Sequence, residues 1–316
     1  MERWHFACSS DDTPPEPLQP ISADIVVLEQ GAVAVADPAV PAALIRIDSD
    51  SGQQTVIASG DLLSNSFGQN PNGLALDPYS GHFLVVDRAG RLIDIDPATG
   101  SQSLLAQGFQ DPTGIAVEAP ATFLITEFGG SLLRFDAASG DATVVASGDL
   151  IGDVAPYAVQ VAADGQIIVS GLTSVGNDVP GPPSRVIRID PASGAQSLVA
   201  EITDGQFRDF ALTATEAIIA IASRGQPSGM DSVAKLDLAT GHLTPIVTGL
   251  QRVLDVDFAP DGSLVLLDQV LSLPCCPPWI PTVYRAARGG GSPSIVAQGG
   301  SMFAPARLVV VPRVDS

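Results

Sequence analysis

The segment from Asn72 to Gly108, "NGLALDPYSGHFLVVDRAGRLIDIDPATGSQSLLAQG", holds four short apolar runs, each closed by a turn of Gly, Pro, Asp or Ser. The next segment, Thr113 to Gly148, repeats that plan in the same order: "TGIAVEAPATFLITEFGGSLLRFDAASGDATVVASG". Later copies are marked by "SRVIRIDPASGAQSLVAEI", "SVAKLDLATGHLTPIVTGL" and "TVYRAARGGGSPSIVAQGG". The period is roughly 40 to 54 residues, and four strands per unit at that spacing mark the blades of a β-propeller. Runs such as "FLVVD" and "FLITE" are apolar on both faces, with no helical segment near enough to cover them. A ring in which each small antiparallel sheet is sandwiched between two neighbours buries both faces without helices.

Five complete units follow one another, and the N-terminal piece supplies a sixth that lacks its first strand: "DIVVLEQG", "ALIRIDSDSG" and "QQTVIASG" match second, third and fourth strands. The missing strand stands at the other end as "ARLVVVP", Ala306 to Pro312. The expectation is an all-β, six-bladed propeller of four-stranded antiparallel blades, closed by pairing the N- and C-terminal strands, which removes the open edge of the ring. It occupies 23–316 as one domain. Residues 1–22, rich in Ser, Asp, Pro and Glu, read as a disordered extension.

Third and fourth strands are joined by a nearly constant hairpin: "DPATG" at 96–100, "DAASG" at 136–140, "DPASG" at 190–194, "DLATG" at 237–241 and "DSDSG" at 48–52. An Asp that bonds the turn backbone and a Gly that tolerates positive φ account for it. The D-x-D-x-G at 48–52 lacks the further ligands and distant Glu of a calcium loop.

In this topology the links from second to third strand and from one blade to the next emerge on one face. All the long insertions fall there: "GAVAVADPAVPA", "LTSVGNDVPGPPS", "RGQPSGMDS" and "QVLSLPCCPPWIPT". Loops on a rigid scaffold are where binding residues concentrate, so a small-molecule ligand or a protein partner is expected at this face. The same face collects acids. Glu29, Asp87, Glu127 and Asp268 end second strands, while Asp209 and Asp255 stand at the starts of first strands beside Asn72, Thr113 and Tyr157. Carboxylates and an amide oxygen converging on one mouth suit a hard cation such as calcium, which takes six to eight oxygen ligands. A water-filled acidic funnel, partly neutralised by Arg88, Arg208 and Arg307, is the other reading. Tyr157, Trp279, Arg208 and Arg307 are the expected rim of a ligand pocket.

Composition limits the chemistry. The net charge of -20 comes from 35 acids against 15 bases, and Lys235 is the only lysine, so there is no basic footprint for nucleic acid. No apolar run reaches the length of a membrane span. His5, His82 and His242 are the only histidines and none falls at the mouth, which leaves a Ser-His-Asp arrangement without support. Hydrolysis would need metal-activated water with a carboxylate as base, for which Glu29, Glu127 and Asp268 are the candidates. Cys8, Cys275 and Cys276 make an odd total, and the adjacent pair is open to two readings, free thiols or a strained, reducible disulfide. Cys8 before a polar, proline-rich tether resembles the start of a mature bacterial lipoprotein. A lipid anchor there would place the protein outside the cytoplasm, secreted or tethered to the envelope.

The pattern P-x-G-[IL]-A-[LV], an apolar strand ending in an acid, then [RS]-[LV]-[IL]-x-[IF]-D, resembles NHL-repeat propellers and the six-bladed gluconolactonase and senescence-marker family of lactone hydrolases. The likeness covers almost the whole chain after residue 22. It implies a divalent metal ligated by the Asn of an "NG[LIM]" motif, and "PNGLALDP" places Asn72 there. The family's Glu before a first strand and its Asp in a "PDG" motif fall at Ala306 and Thr113, so those two ligands are missing. "ITEFGGSLLRFD" also resembles streptogramin lyases, whose catalytic histidines have no counterpart here. Three functions follow as expectations: a ligand-binding or sensing propeller of NHL type, a metal-dependent lactone or ester hydrolase, or a scaffold for protein partners.

Overall fold

A computed structural model describes residues 22–31, 41–63, 70–173, 183–223, 231–271 and 279–313. Among them six four-stranded antiparallel sheets form, each ordered from the axis outwards as its strands run in sequence, except where the termini meet. The composite blade 1 has Pro305–Pro312 innermost, then Ala23–Glu29, Ala43–Asp48 and Gln54–Ser59. Blades 2 to 6 begin with Pro71–Leu76, Pro112–Ala119, Val154–Val161, Gly205–Leu212 and Val253–Phe258. Among the described residues helix is confined to Asp149–Gly152, in the link between blades 3 and 4.

The ring closes by pairing of the terminal strands, as expected, with Asp24 opposite Val311 and Leu28 opposite Arg307. Arg313, just past the last strand, fastens the seam: its backbone N–H donates to Ser22 O at 2.8 Å, its Nε to Asp24 at 2.8 Å and its Nη1 to Asp50 at 2.9 Å.

Side-chain alternation explains why strands such as Ala23–Glu29 are apolar throughout. Ile25 and Val27 pack with Val265, Leu267 and Val283 of blade 6, while Val26 and Leu28 turn the other way against Phe83, Val85 and Ile93 of blade 2. Each of the six blade interfaces holds one such cluster. Outermost strands lack part of this cover, and Val56, Leu104, Val144, Leu198 and Ile295 are exposed on them.

The hairpins behave as their sequence demands. Asp96 accepts the Ala98 N–H at 2.8 Å and the Thr99 hydroxyl at 2.7 Å. Gly100 has φ +72°, and a Cβ on it would overlap the carbonyl oxygen of Ile57 in the preceding blade. That glycine is therefore required twice, by its backbone conformation and by the contact. Asp48 is spent in the same way on the Ser51 N–H and hydroxyl, both at 2.7 Å, so the 48–52 loop is a turn.

Among the described residues no helix is long and apolar enough to cross a membrane. Residues 1–21, including His5 and Cys8, lie outside the described residues, as do Cys275, Cys276 and most of the insertions.

Candidate functional site at the axial mouth

Every first strand carries a β-bulge near its mouth end. In blade 2, Pro71 faces Asp87 and Gly73 faces Val86, which leaves Asn72 as the extra residue. The same irregularity frees Thr113, Tyr157, Arg208 with Asp209, Leu254 and Ala306 in the other blades. A bulge re-aims the side chain it carries and ends regular pairing. Six bulges around one axis therefore build a ring of side chains at the mouth. Asn72, Thr113 and Ala306, which the family resemblance aligns, do share this ring.

Arg307, one residue past its bulge, dominates the ring. Its side chain is 2% exposed and reaches across the axis from blade 1 to blades 3, 4 and 5. Nε lies 3.2 Å from Asp209 Oδ2, and Nη2 donates to the carbonyls of Thr113 at 3.2 Å and Tyr157 at 3.0 Å. The guanidinium carbon is 3.8 Å from the centroid of the Tyr157 ring, within cation–π range. Arg208 approaches the same ring at 5.7 Å. Arg252 lies beside them at the rim; partial desolvation, and then the Arg208 charge, push its pKa down.

Beneath Arg307 runs an axial cavity of about 340 Å³. Leu74, Leu76, Val117, Val161 and Val309 wall it, with Asp209, Asp255 and Asp257 as its acids. Each first strand is hydrogen-bonded on one side only, so its other edge needs partners at the axis. Neighbouring blades supply some of them. Asp255 Oδ2 accepts the Leu308 N–H at 2.7 Å, Asp257 Oδ2 accepts that of Val310 at 2.8 Å, and the Gln160 amide donates to the carbonyl of Phe210. Burial raises the pKa of Asp209 although Arg307 opposes it, and burial with Asp209 repulsion holds Asp255 well above the usual carboxylate range. Asp257 is pushed up to about 6, by desolvation first.

The second-strand acids are not drawn into this ring. Glu29 accepts N–H groups from Gly31 at 3.0 Å, Phe303 at 2.7 Å and Ala304 at 2.6 Å, tying down the link that enters blade 1. Asp268 does the same for blade 6 through Gln251 and Arg252, at 3.2 and 2.6 Å. Glu127 takes the Gln110 N–H and the Ser131 hydroxyl, both at 2.6 Å, and Asp87 is forked by Arg91. The expected convergence of Asn72, Glu29, Asp87, Glu127, Asp268, Asp209 and Asp255 on one cation is thus not what forms. Second-strand ends sit one strand out from the axis, and their lone pairs are used by nearby backbone and side-chain donors. Asp209 and Asp255 do meet, around a guanidinium. Among the described residues no three His, Cys, Asp or Glu side chains are grouped to hold a metal ion.

Arg88 pairs with Asp111 at 2.7 Å, and His82 Nδ1 lies 2.8 Å from Asp94 on the opposite face. Trp279 opens its strand opposite Leu271, and its side chain lies outside the described residues. Sequence reasoning missed Asp257, although "DVD" at 255–257 places two acids on one face of a first strand, and it missed Arg252 and the bulges.

No protein-family model matches the sequence, and no curated protein matches it. Solved structures do. The architecture is shared with a chain of a nidogen/laminin complex at 11% identity and a TM-score of 0.68, over 93% of this chain and 99% of that one. A gluconolactonase from Xanthomonas campestris matches at 14% identity and 0.58, over 92% and 91%. Regucalcin from Agrobacterium tumefaciens, a calcium-binding protein, matches at 15% and 0.54, over 71% and 73%. At such identities the likeness is one of fold: a six-bladed propeller whose structural neighbours include gluconolactonase-like and regucalcin-like proteins.

Proposed function

We propose that this chain is a small-ligand-binding propeller whose ligand seats on the bulge ring at the axial mouth, and that it does not act as a metal-dependent lactone or ester hydrolase. One observation carries the reading. Arg307 crosses the axis and takes the Asp209 carboxylate and the Thr113 and Tyr157 carbonyls for itself. Those are the hard oxygens a calcium ion would need. The donor set therefore does not fit the divalent cation that the family resemblance implies, because a fixed guanidinium already supplies positive charge there. Thr113 is engaged as well: its hydroxyl bonds the Thr126 hydroxyl at 3.0 Å and the Pro156 carbonyl at 2.7 Å. What remains is a concave site with an aromatic ring, guanidinium groups and Asn72 at its edge, over a cavity walled by apolar side chains and three acids. Binding sites have this composition.

Calorimetric melting in millimolar calcium against a chelated sample is the test. A ligand selective for the folded state stabilises it by about 2.7 kcal/mol at a hundredfold excess over Kd. The expected result is an unchanged melting temperature with calcium, magnesium or manganese, and no metal-dependent turnover of a lactone and ester panel. A melting temperature raised by calcium and returned to baseline by Asn72→Ala would overturn the reading.

A further inference from the structure

Two guanidinium groups at the mouth carry N–H groups that no described residue receives. Arg307 Nη1 and Arg208 Nε are both buried atoms with no hydrogen-bond partner among the described residues. Buried donors are almost always satisfied, and a charged one left open costs more than a neutral one. Both belong to side chains lying against the single Tyr157 ring, at 3.8 and 5.7 Å. The other two unpartnered buried atoms, Asp111 Oδ1 and Gln269 Oε1, are acceptors, so the two open donors both lie against one aromatic ring and mark a place for an acceptor to complete.

We propose that the mouth is a carboxylate-binding site, in which a small organic monoanion is held by Arg208 and Arg307 against Tyr157. The proposal rests on the ligand-binding reading above and adds the ligand's chemical class. Charge selects one negative charge over two. Arg307 is matched by Asp209, at 3.2 Å. Asp231, whose charge acts on Arg208 and Arg252, accepts the N–H groups of Ser223 at 2.8 Å and Val253 at 3.0 Å. Asp255 is held toward its neutral form by burial and by Asp209. Among the described residues Arg307 is paired with Asp209 and Arg208 with no acid, so the Arg208 guanidinium is the charge open to an incoming anion. A monocarboxylate neutralises it and offers two oxygens to two donors, whereas a phosphate dianion would bring excess charge into a setting that already holds Asp209, Asp231 and Asp255. Elsewhere the chain is strongly acidic, at net -20, so the site has to be this local.

The test is titration calorimetry of the full chain with acetate, lactate and benzoate at constant ionic strength, beside inorganic phosphate, a neutral amide series and a series of primary ammonium ions. At least one monocarboxylate should bind, and Arg208→Gln should raise its Kd roughly ten- to hundredfold, the loss of one charge-assisted hydrogen bond. Arg208→Lys should restore part of the affinity. Arg88→Gln, which removes an exposed arginine paired with Asp111, should change nothing. Arg208 is half-buried, and a melting curve on each variant separates lost binding from lost structure. Carboxylate binding that survives Arg208→Gln overturns the proposal, and so does tighter binding of phosphate than of any monocarboxylate. If only amides or ammonium ions bind, the ligand-binding reading stands and the carboxylate assignment falls. If no compound in any series binds, both fall.

Discussion

Glu29 and Glu127 end second strands, and Asp268 lies within one, with their oxygens turned to backbone N–H groups of the inter-blade links, whereas Asp209, Asp255 and Asp257 lie on first strands and line the axial cavity. Both sets are acids at or near the mouth, and the expectation of one cation site drew on both. Their difference is one of strand position. A second strand has sheet on both sides, so an acid at its end meets only the chain that turns past it, and it serves as a clamp. A first strand has an open edge, so its acids meet the next blade, the cavity and Arg307. The clamps hold the ring's geometry; the axial acids set the charge of the site.

The comparison breaks most sharply at Arg307. Replacing it with Met strands Asp209 beside an axis it no longer neutralises, and removing one partner of a buried ion pair costs about 3–5 kcal/mol. The loss, read by urea unfolding at pH 7.5, should shrink as pH falls, because Asp209, already raised by burial, escapes its penalty by protonation. A pH-independent loss would mean that Arg307 acts by packing alone. Next in size is Glu29→Ala. Three N–H groups lose a buried acceptor, which should cost on the order of 3 kcal/mol. Glu127→Ala, which strands one N–H and one hydroxyl, should cost about half as much by the same measurement. Equal losses would deny that the clamp scales with the bonds it makes.

The fold was legible because its determinants are local and repeated. An Asp-to-Gly hairpin recurs with the same turn chemistry in blade after blade, and a unit lacking its first strand points to the spare strand at the far terminus. The site was legible only in part. Asn72, Tyr157, Arg208, Asp209, Asp255 and Arg307 were all named, because residues next to a strand start fall at the mouth in this topology. Which of them meet was hidden by the bulges, each a one-residue slip in pairing that residue type does not announce. The target of a strand-end acid was equally hidden. Glu29 reads the same whether it faces a cation or the N–H groups of Phe303 and Ala304, some 270 residues away in sequence.

Smaller in effect is the acid within the cavity. Asp257 has a folded pKa of about 6 against 3.8 for the ordinary group, so between those values the folded state holds a proton the unfolded state has lost. Stability then falls as pH rises from about 4 to about 6. Asp257→Asn should flatten that part of the curve while keeping a side chain able to accept the Val310 N–H. A slope between pH 4 and 6 identical in wild type and variant would place the raised pKa elsewhere.

The smallest effect has the opposite sign and belongs to a third set of acids, those of the exposed hairpins. Asp190 is lowered to about 2, first by the Ser193 hydroxyl and then by the Ser193 N–H, and Asp48, Asp96 and Asp237 are lowered by the same kind of turn bonds. A carboxylate with a depressed folded pKa adds stability that is present above about 4 and lost as pH falls toward 2. Hairpin acids therefore weaken the fold on the acid side of pH 4, and cavity acids weaken it on the other side. Their opposition predicts a stability maximum between about pH 4 and 5, below the usual range, with the self-repulsion of a chain at net -20 pulling the same way above it. Melting temperatures measured from pH 2.5 to 8 locate the maximum. Asp257→Asn should move it upward, Asp190→Asn should soften only the acid limb, and a wild-type maximum near pH 7 would show that neither set governs the titration of this fold.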